Sequence, residues 1–232
     1  MENELTEKEK MSRSELKTRC DDMAKKFKFL FIVTIISTVI HFILSGLLVG
    51  MQITTEVPSL VISILYVILK MLADVMLCII LFTLSRHNDG YRTAGIFYLI
   101  YSILANLAPL FLSLSYNLQD GKTWGYLSTI FSTSSSIFSL LYTLKISKVM
   151  ISVFEPVSLA VKVDWRDFRQ WNVYVLIGTI ICTPLMVIPW IQYAALIGAI
   201  IISMASSIIF IWRFTILFKS YKMMEKFSRQ QD

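Results

Sequence analysis

Long apolar runs separated by polar connections set the plan of this chain. Six stretches, at 28–49, 58–84, 93–115, 124–144, 172–189 and 191–213, reach or approach the length of about 20 residues that a helix needs to cross a bilayer. Four of the five connections between them are short, and one, at 145–171, is long. The pattern predicts an all-α polytopic membrane bundle of six transmembrane helices, arranged as three hairpins. The fifth span is the least regular, because Pro184 and Pro189 fall at its end and each removes a helical N–H; a kinked or re-entrant fifth helix is the alternative.

Polar residues inside these spans fall into stripes. On the second span Ser63, Tyr66, Lys70 and Asp74 are spaced by three, four and four, which puts them on one helix face. The first span carries Thr34, Ser37 or Thr38, His41 and Ser45, and the third carries Tyr98, Ser102, Asn106, Pro109 and Ser113. The fourth has Ser128, Ser132, Ser135 or Ser136, Ser139 and Thr143. Such stripes are expected to turn away from lipid toward a common interior. On the sixth span Ala195, Ala199, Ser203 and Ser206 predict a small-residue packing seam.

Lys70 and Asp74 are the costly members. A central Lys and a central Asp together oppose insertion by roughly 5–7 kcal/mol, while the Leu, Ile, Val and Phe residues of the second span return roughly 5–10 kcal/mol. An apolar pair would cost nothing, so the charges call for a reason. The functional reading makes Lys70 and Asp74 the charged centre of a polar mid-membrane binding site, with Tyr66, His41 and Asn106 as neighbours and Ser132 and Ser136 as lining. Lys70 would attract an anionic group, and Asp74 would hold its charge or take a proton. The structural reading makes the two a self-neutralising pair that fixes helix packing, His41 an interior hydrogen-bonded histidine, and the serines a means of close helix approach.

Outside the spans, the tail 1–27 opens with polar residues, then shows a capping box, Ser12 and Glu15, followed by Leu16, Cys20, Met23 and Phe27 at helical spacing. It predicts a cytoplasmic amphipathic helix leading into the transmembrane domain, 28–218, with a second cytoplasmic tail at 219–232. The first span, with no cleavage-like site after it, is expected to stay as a signal anchor. In the connection 145–171, Glu155-Pro156 interrupts the helix and Asp164 is the expected N-cap of a new one. There Trp165, Phe168 and Trp171 interleave with Arg166 and Arg169, which predicts an interfacial helix; docking of a cytoplasmic partner is the alternative.

Composition agrees with the pattern. Of 232 residues, 56% are hydrophobic and only 16% charged, more apolar surface than a soluble domain of this length could hide. The net charge of +6 comes from Lys and Arg gathered at one set of ends: Lys25, Lys26 and Lys28; Arg86 and Arg92; Lys145 to Arg169; Arg213 to Arg229. The opposite connections, MQITTEVP and YNLQDGKT, hold one basic residue, Lys122. This places both termini in the cytoplasm of a multi-pass cell-membrane protein and explains the charge without nucleic acid.

Candidate chemistry adds little. Cys20, Cys78 and Cys182 suggest neither an external disulfide nor a metal site. H-E-x-x-H, G-x-S-x-G and Walker patterns are absent, and only His41 and His87 are present. The turn SRHNDGYRTAG resembles the start of a membrane phosphotransferase signature but lacks the further aspartates for metal ions, so Arg86, His87 and Arg92 read as flanks of a tight turn. No enzyme and no cofactor is expected. The sequence reads as a small-solute or ion transport component, driven by an ion gradient or a partner subunit. The alternative is an accessory or sensor subunit that docks a partner through its cytoplasmic segments. The expected partners are the lipid bilayer and a protein subunit or second copy.

Overall fold

A computed structural model describes residue 15, residues 18–40, residue 43, and residues 60–117, 121–186 and 188–229. The side chains of 60–63, 116 and 117 fall outside that description, as do His41, Ser45, Ser63 and most of the first outer connection. The described chain is all-helical, with six helices: α1 (18–40), α2 (Leu60–Leu84), α3 (Gly90–Asn117), α4 (Gly121–Phe154), α5 (Leu159–Leu185) and α6 (Gln192–Arg229). Each of α2 to α5 packs on the next in sequence. Short connections between neighbours make the order up and down.

Local chemistry sets the turns. After α2, Asn88 Oδ1 accepts the Gly90 N–H at 2.9 Å, and Asp89 O accepts the Arg92 N–H at 3.1 Å, so the chain reverses in one Asx turn and restarts. Gly90 is required there by space: a Cβ would lie 2.2 Å from Val149 Cγ2 of α4. After α4, Glu155 precedes Pro156 and the helix stops at Phe154, as proline dictates.

Among the described residues four helices are long and apolar enough to cross a membrane: Ile64–Leu84, Gly90–Ser115, Gly121–Phe154 and Gln192–Arg229. The fifth expected span is not among them. Instead of an interfacial helix followed by a span, Leu159–Leu185 is one helix whose first half carries Lys162, Asp164, Arg166, Asp167 and Arg169. Its N-cap is Ser158, whose side chain faces the Val161 N–H, and not Asp164, which pairs with Lys219 at 2.8 Å. Trp165 and Phe168, expected at the headgroups, are buried: Trp165 Nε1 donates to Ser220 Oγ at 3.0 Å, and the Phe168 ring meets Trp212 edge-on. Only Trp171 stays exposed.

That burial is possible because α4 and α6 are longer than a bilayer requires. At 1.5 Å per residue their 34 and 38 residues span about 51 and 57 Å, against about 30 Å of hydrocarbon. Their C-terminal ends, with the start of α1, the end of α2 and the starts of α3 and α5, form a closed end of the bundle. Phe27, Leu84, Tyr91, Phe154, Ile216 and Met224 are fully buried in it, and the Phe27 and Phe154 rings stack with centroids 6.2 Å apart. Cys20, Met23 and Phe27 thus pack inward as one face of α1. On its other side α1 meets α6, where Phe31 touches Phe214, Phe218 and Tyr221.

A polar clasp ties α1 to the α2–α3 turn. Asp22 Oδ2 is 2.6 Å from both Lys26 Nζ and His87 Nε2, and Lys26 Nζ also donates to Thr83 O at 3.3 Å. The Lys26 ammonium, with the His87 ring as second partner, holds the Asp22 carboxyl below the usual carboxylate range.

Candidate binding cavity

Directly above the closed end the helices part around a cavity of about 690 Å³. Its walls come from four helices: Thr34, Ser37 and Thr38 of α1; Tyr66, Lys70, Asp74 and Leu77 of α2; Tyr98 and Tyr101 of α3; and Ser203 to Arg213 of α6.

Asp74 is its most constrained member. Only 4% exposed, it accepts from Tyr98 Oη at 2.7 Å on Oδ1, and from Ser102 Oγ at 2.6 Å and Asn106 Nδ2 at 3.1 Å on Oδ2. The three donors sit at intervals of four on α3, so a single helical face delivers them all. Asn106 also donates to Ser102 O at 2.8 Å, which fixes its amide, while its Oδ1 is buried with no hydrogen-bond partner among the described residues. Lys70 Nζ lies 3.8 Å from Asp74 Oδ2. At that distance the two attract as charges without a hydrogen bond, so Asp74 does not use up the donors of the ammonium.

The cavity floor is aromatic and cationic. Tyr98 packs against Tyr101 and Tyr142 with centroids 5.7 and 5.1 Å apart. Arg213 donates from Nη2 to Tyr142 Oη at 3.1 Å, with its guanidinium carbon 5.8 Å from the centre of the same ring. Beneath it, Arg213 also borders a small chamber shared with Thr143 and Asn172, whose side chains are bonded at 3.1 Å.

The expected site residues divide. Lys70, Asp74 and Tyr66 line the cavity together, and Asn106 joins them from behind Asp74. His41 lies outside the described residues. Ser132 and Ser136 are not among the cavity's wall residues: Ser132 O accepts from Ser136 Oγ at 3.0 Å and from Ser135 Oγ at 2.8 Å, so the Ser135 and Ser136 hydroxyls are satisfied within α4. Ser128 bonds across to Ala108 O at 2.9 Å. Ser203 and Ser206, expected in a packing seam, are wall residues instead.

Arg213 is the residue that sequence reasoning misplaced. It reads as a flanking cation at the end of a span, whereas α6 continues past it to Arg229 and turns it into the cavity. The signal was present: Ser203, Ser206, Phe210 and Arg213 are spaced by three, four and three, and α6 contains neither Gly nor Pro after Gly198 to stop the helix.

Compared with protein-family models, with curated proteins and with solved structures, the chain matches none.

Proposed function

We propose that this protein is a membrane transport component that binds a small polar solute or ion in the cavity around Lys70 and Asp74. The observation that carries this reading is a space of about 690 Å³ walled by hydroxyl groups, two cations and one carboxylate, within the 300–1,000 Å³ usual for small-molecule sites. A self-neutralising structural pair would need no such space beside it. Asp74, held by three donors, serves as the fixed counter-charge, and Lys70 as the cation presented to the solute. The protein holds and moves its solute and makes or breaks no covalent bond.

In this reading the clustered Lys and Arg residues face the cytoplasm, both termini lie on that side of the cell membrane, and all six helices contribute to the spanning bundle. Energy comes from an ion gradient or a partner subunit.

Uptake into proteoliposomes, with solute panels of each charge class, tests the proposal. Replacing the pair by apolar residues, Lys70→Met with Asp74→Leu, keeps the volume filled and is expected to abolish transport while the protein still folds. Transport undiminished in that double variant would sink the reading.

A further inference from the structure

Arg213 has an incomplete set of partners. Among the described residues no carboxylate lies within ion-pair distance of its guanidinium; its hydrogen-bond acceptor is the neutral Tyr142 hydroxyl. Asp74, the only carboxylate among the described residues of the cavity wall, accepts from Tyr98, Ser102 and Asn106 and faces Lys70. Two fixed cations and one fixed anion therefore share one partly enclosed space. A guanidinium placed inside a membrane bundle with no carboxylate in direct contact is expensive, and its planar fork matches the two oxygens of a carboxylate or phosphate.

We infer that the cavity takes an oxyanion, a carboxylate or phosphate group, seated on the Arg213 guanidinium with Lys70 as second cation, and that the aromatic floor of Tyr98, Tyr101 and Tyr142 packs against the rest of the ligand. The inference rests on the cavity being the solute site and adds the charge class. It also names Arg213 as the residue that sets that class. Ser203 and Ser206, about two to three turns before Arg213 on the same helix, can donate to polar substituents farther along the ligand.

The test compares isosteric pairs that differ in charge: acetate with acetamide, benzoate with benzamide, and inorganic phosphate alone, each read as a shift in thermal stability of the purified protein in neutral-lipid nanodiscs. The expected result is a concentration-dependent rise with an anion and none with its amide. Arg213→Gln should erase the rise, and Arg213→Lys, which keeps the charge and loses the fork, should weaken apparent affinity about tenfold or more. A parallel arm replaces part of the phosphatidylcholine by phosphatidylglycerol. An Arg213-dependent rise there, with no response to free anions, assigns the oxyanion to a lipid headgroup and not to a solute. If amides match their anions, or if Arg213→Gln responds like the wild type, the inference falls.

The wild-type anion and amide comparison decides the matter even if the glutamine variant fails to fold. Failure of the inference is distinct from failure of the cavity reading. Neutral or cationic solutes that stabilise the wild type through Lys70 or Asp74 leave the cavity standing and remove the anion; no shift by any solute or lipid removes both.

Discussion

The closed end of the bundle and the cavity directly above it are built from the same helices and have opposite interiors. At the closed end Phe27, Leu84, Phe154 and Met224 meet with no exposure at all, and few polar groups are admitted: Trp165 and Ser220, bonded to each other, and Ser147, whose hydroxyl has no hydrogen-bond partner among the described residues. A few turns away along α1, α2, α3 and α6, the inward positions are Thr34, Lys70, Tyr98 and Arg213, and the helices stand apart. The closed end has the composition of a core, and its removal should cost stability. The cavity spends helix packing on polar walls, and changes there should cost binding first.

The largest effect should come from the closed end. Phe154→Ala empties a fully buried site and should destabilise the protein by about 3–5 kcal/mol, read by thermal unfolding in detergent, while the ligand-dependent shift in the surviving folded protein stays close to wild type. A variant that loses ligand response before stability would erase the distinction between the two regions. Asp74 is the cavity residue that should behave like the core. Asp74→Leu strands a nearby ammonium and three buried donors and should cost about 3–5 kcal/mol, whereas Lys70→Met added to it removes the stranded ammonium, leaves the three donors unpaired, and should recover part of that cost. A double variant that costs the sum of Lys70→Met alone and Asp74→Leu alone would show that Lys70 and Asp74 are energetically independent.

Much of this contrast was legible in the sequence, because periodicity survives folding. Tyr98, Ser102 and Asn106 stand at intervals of four and deliver their donors to Asp74; Cys20, Met23 and Phe27 repeat on one face of α1 and are buried. What failed was length. The positions of Trp165, Phe168 and Arg213 all depend on α6 running to Arg229, and apolar runs report where a helix meets lipid, not where its hydrogen bonding ends. With α6 cut at residue 213, Arg213 becomes a flank and the Trp165–Phe168 segment has no neighbour to pack on. The serines of α4 failed for another reason. Hydroxyls can bond their own helix backbone, so a polar stripe in sequence need not face a polar space.

Smaller effects sharpen the comparison. Lys70→Ala leaves the buried Asp74 carboxylate without its nearest cation but still held by three donors, so it should cost less stability than loss of Asp74, while solute affinity, measured by the ligand-induced thermal shift, should fall at least tenfold. A large stability loss without a change in affinity would return Lys70 to a packing role.

The smallest effect belongs to the clasp at the closed end, and its sign is fixed. Because Lys26 and His87 hold the Asp22 carboxyl below its ordinary value near 4, the folded state binds fewer protons there than the unfolded chain around that pH. The stabilisation is present above that ordinary value and is lost as pH falls through the lower folded value. Asp22 is half exposed, so screening limits the effect to about 1 kcal/mol or less. Thermal stability followed from pH 6 to pH 3 should therefore drop slightly less in Asp22→Asn than in the wild type, with the curves converging at the acid end. Parallel curves would mean that α1 is held to the α2–α3 turn by the apolar contacts of Phe27 alone.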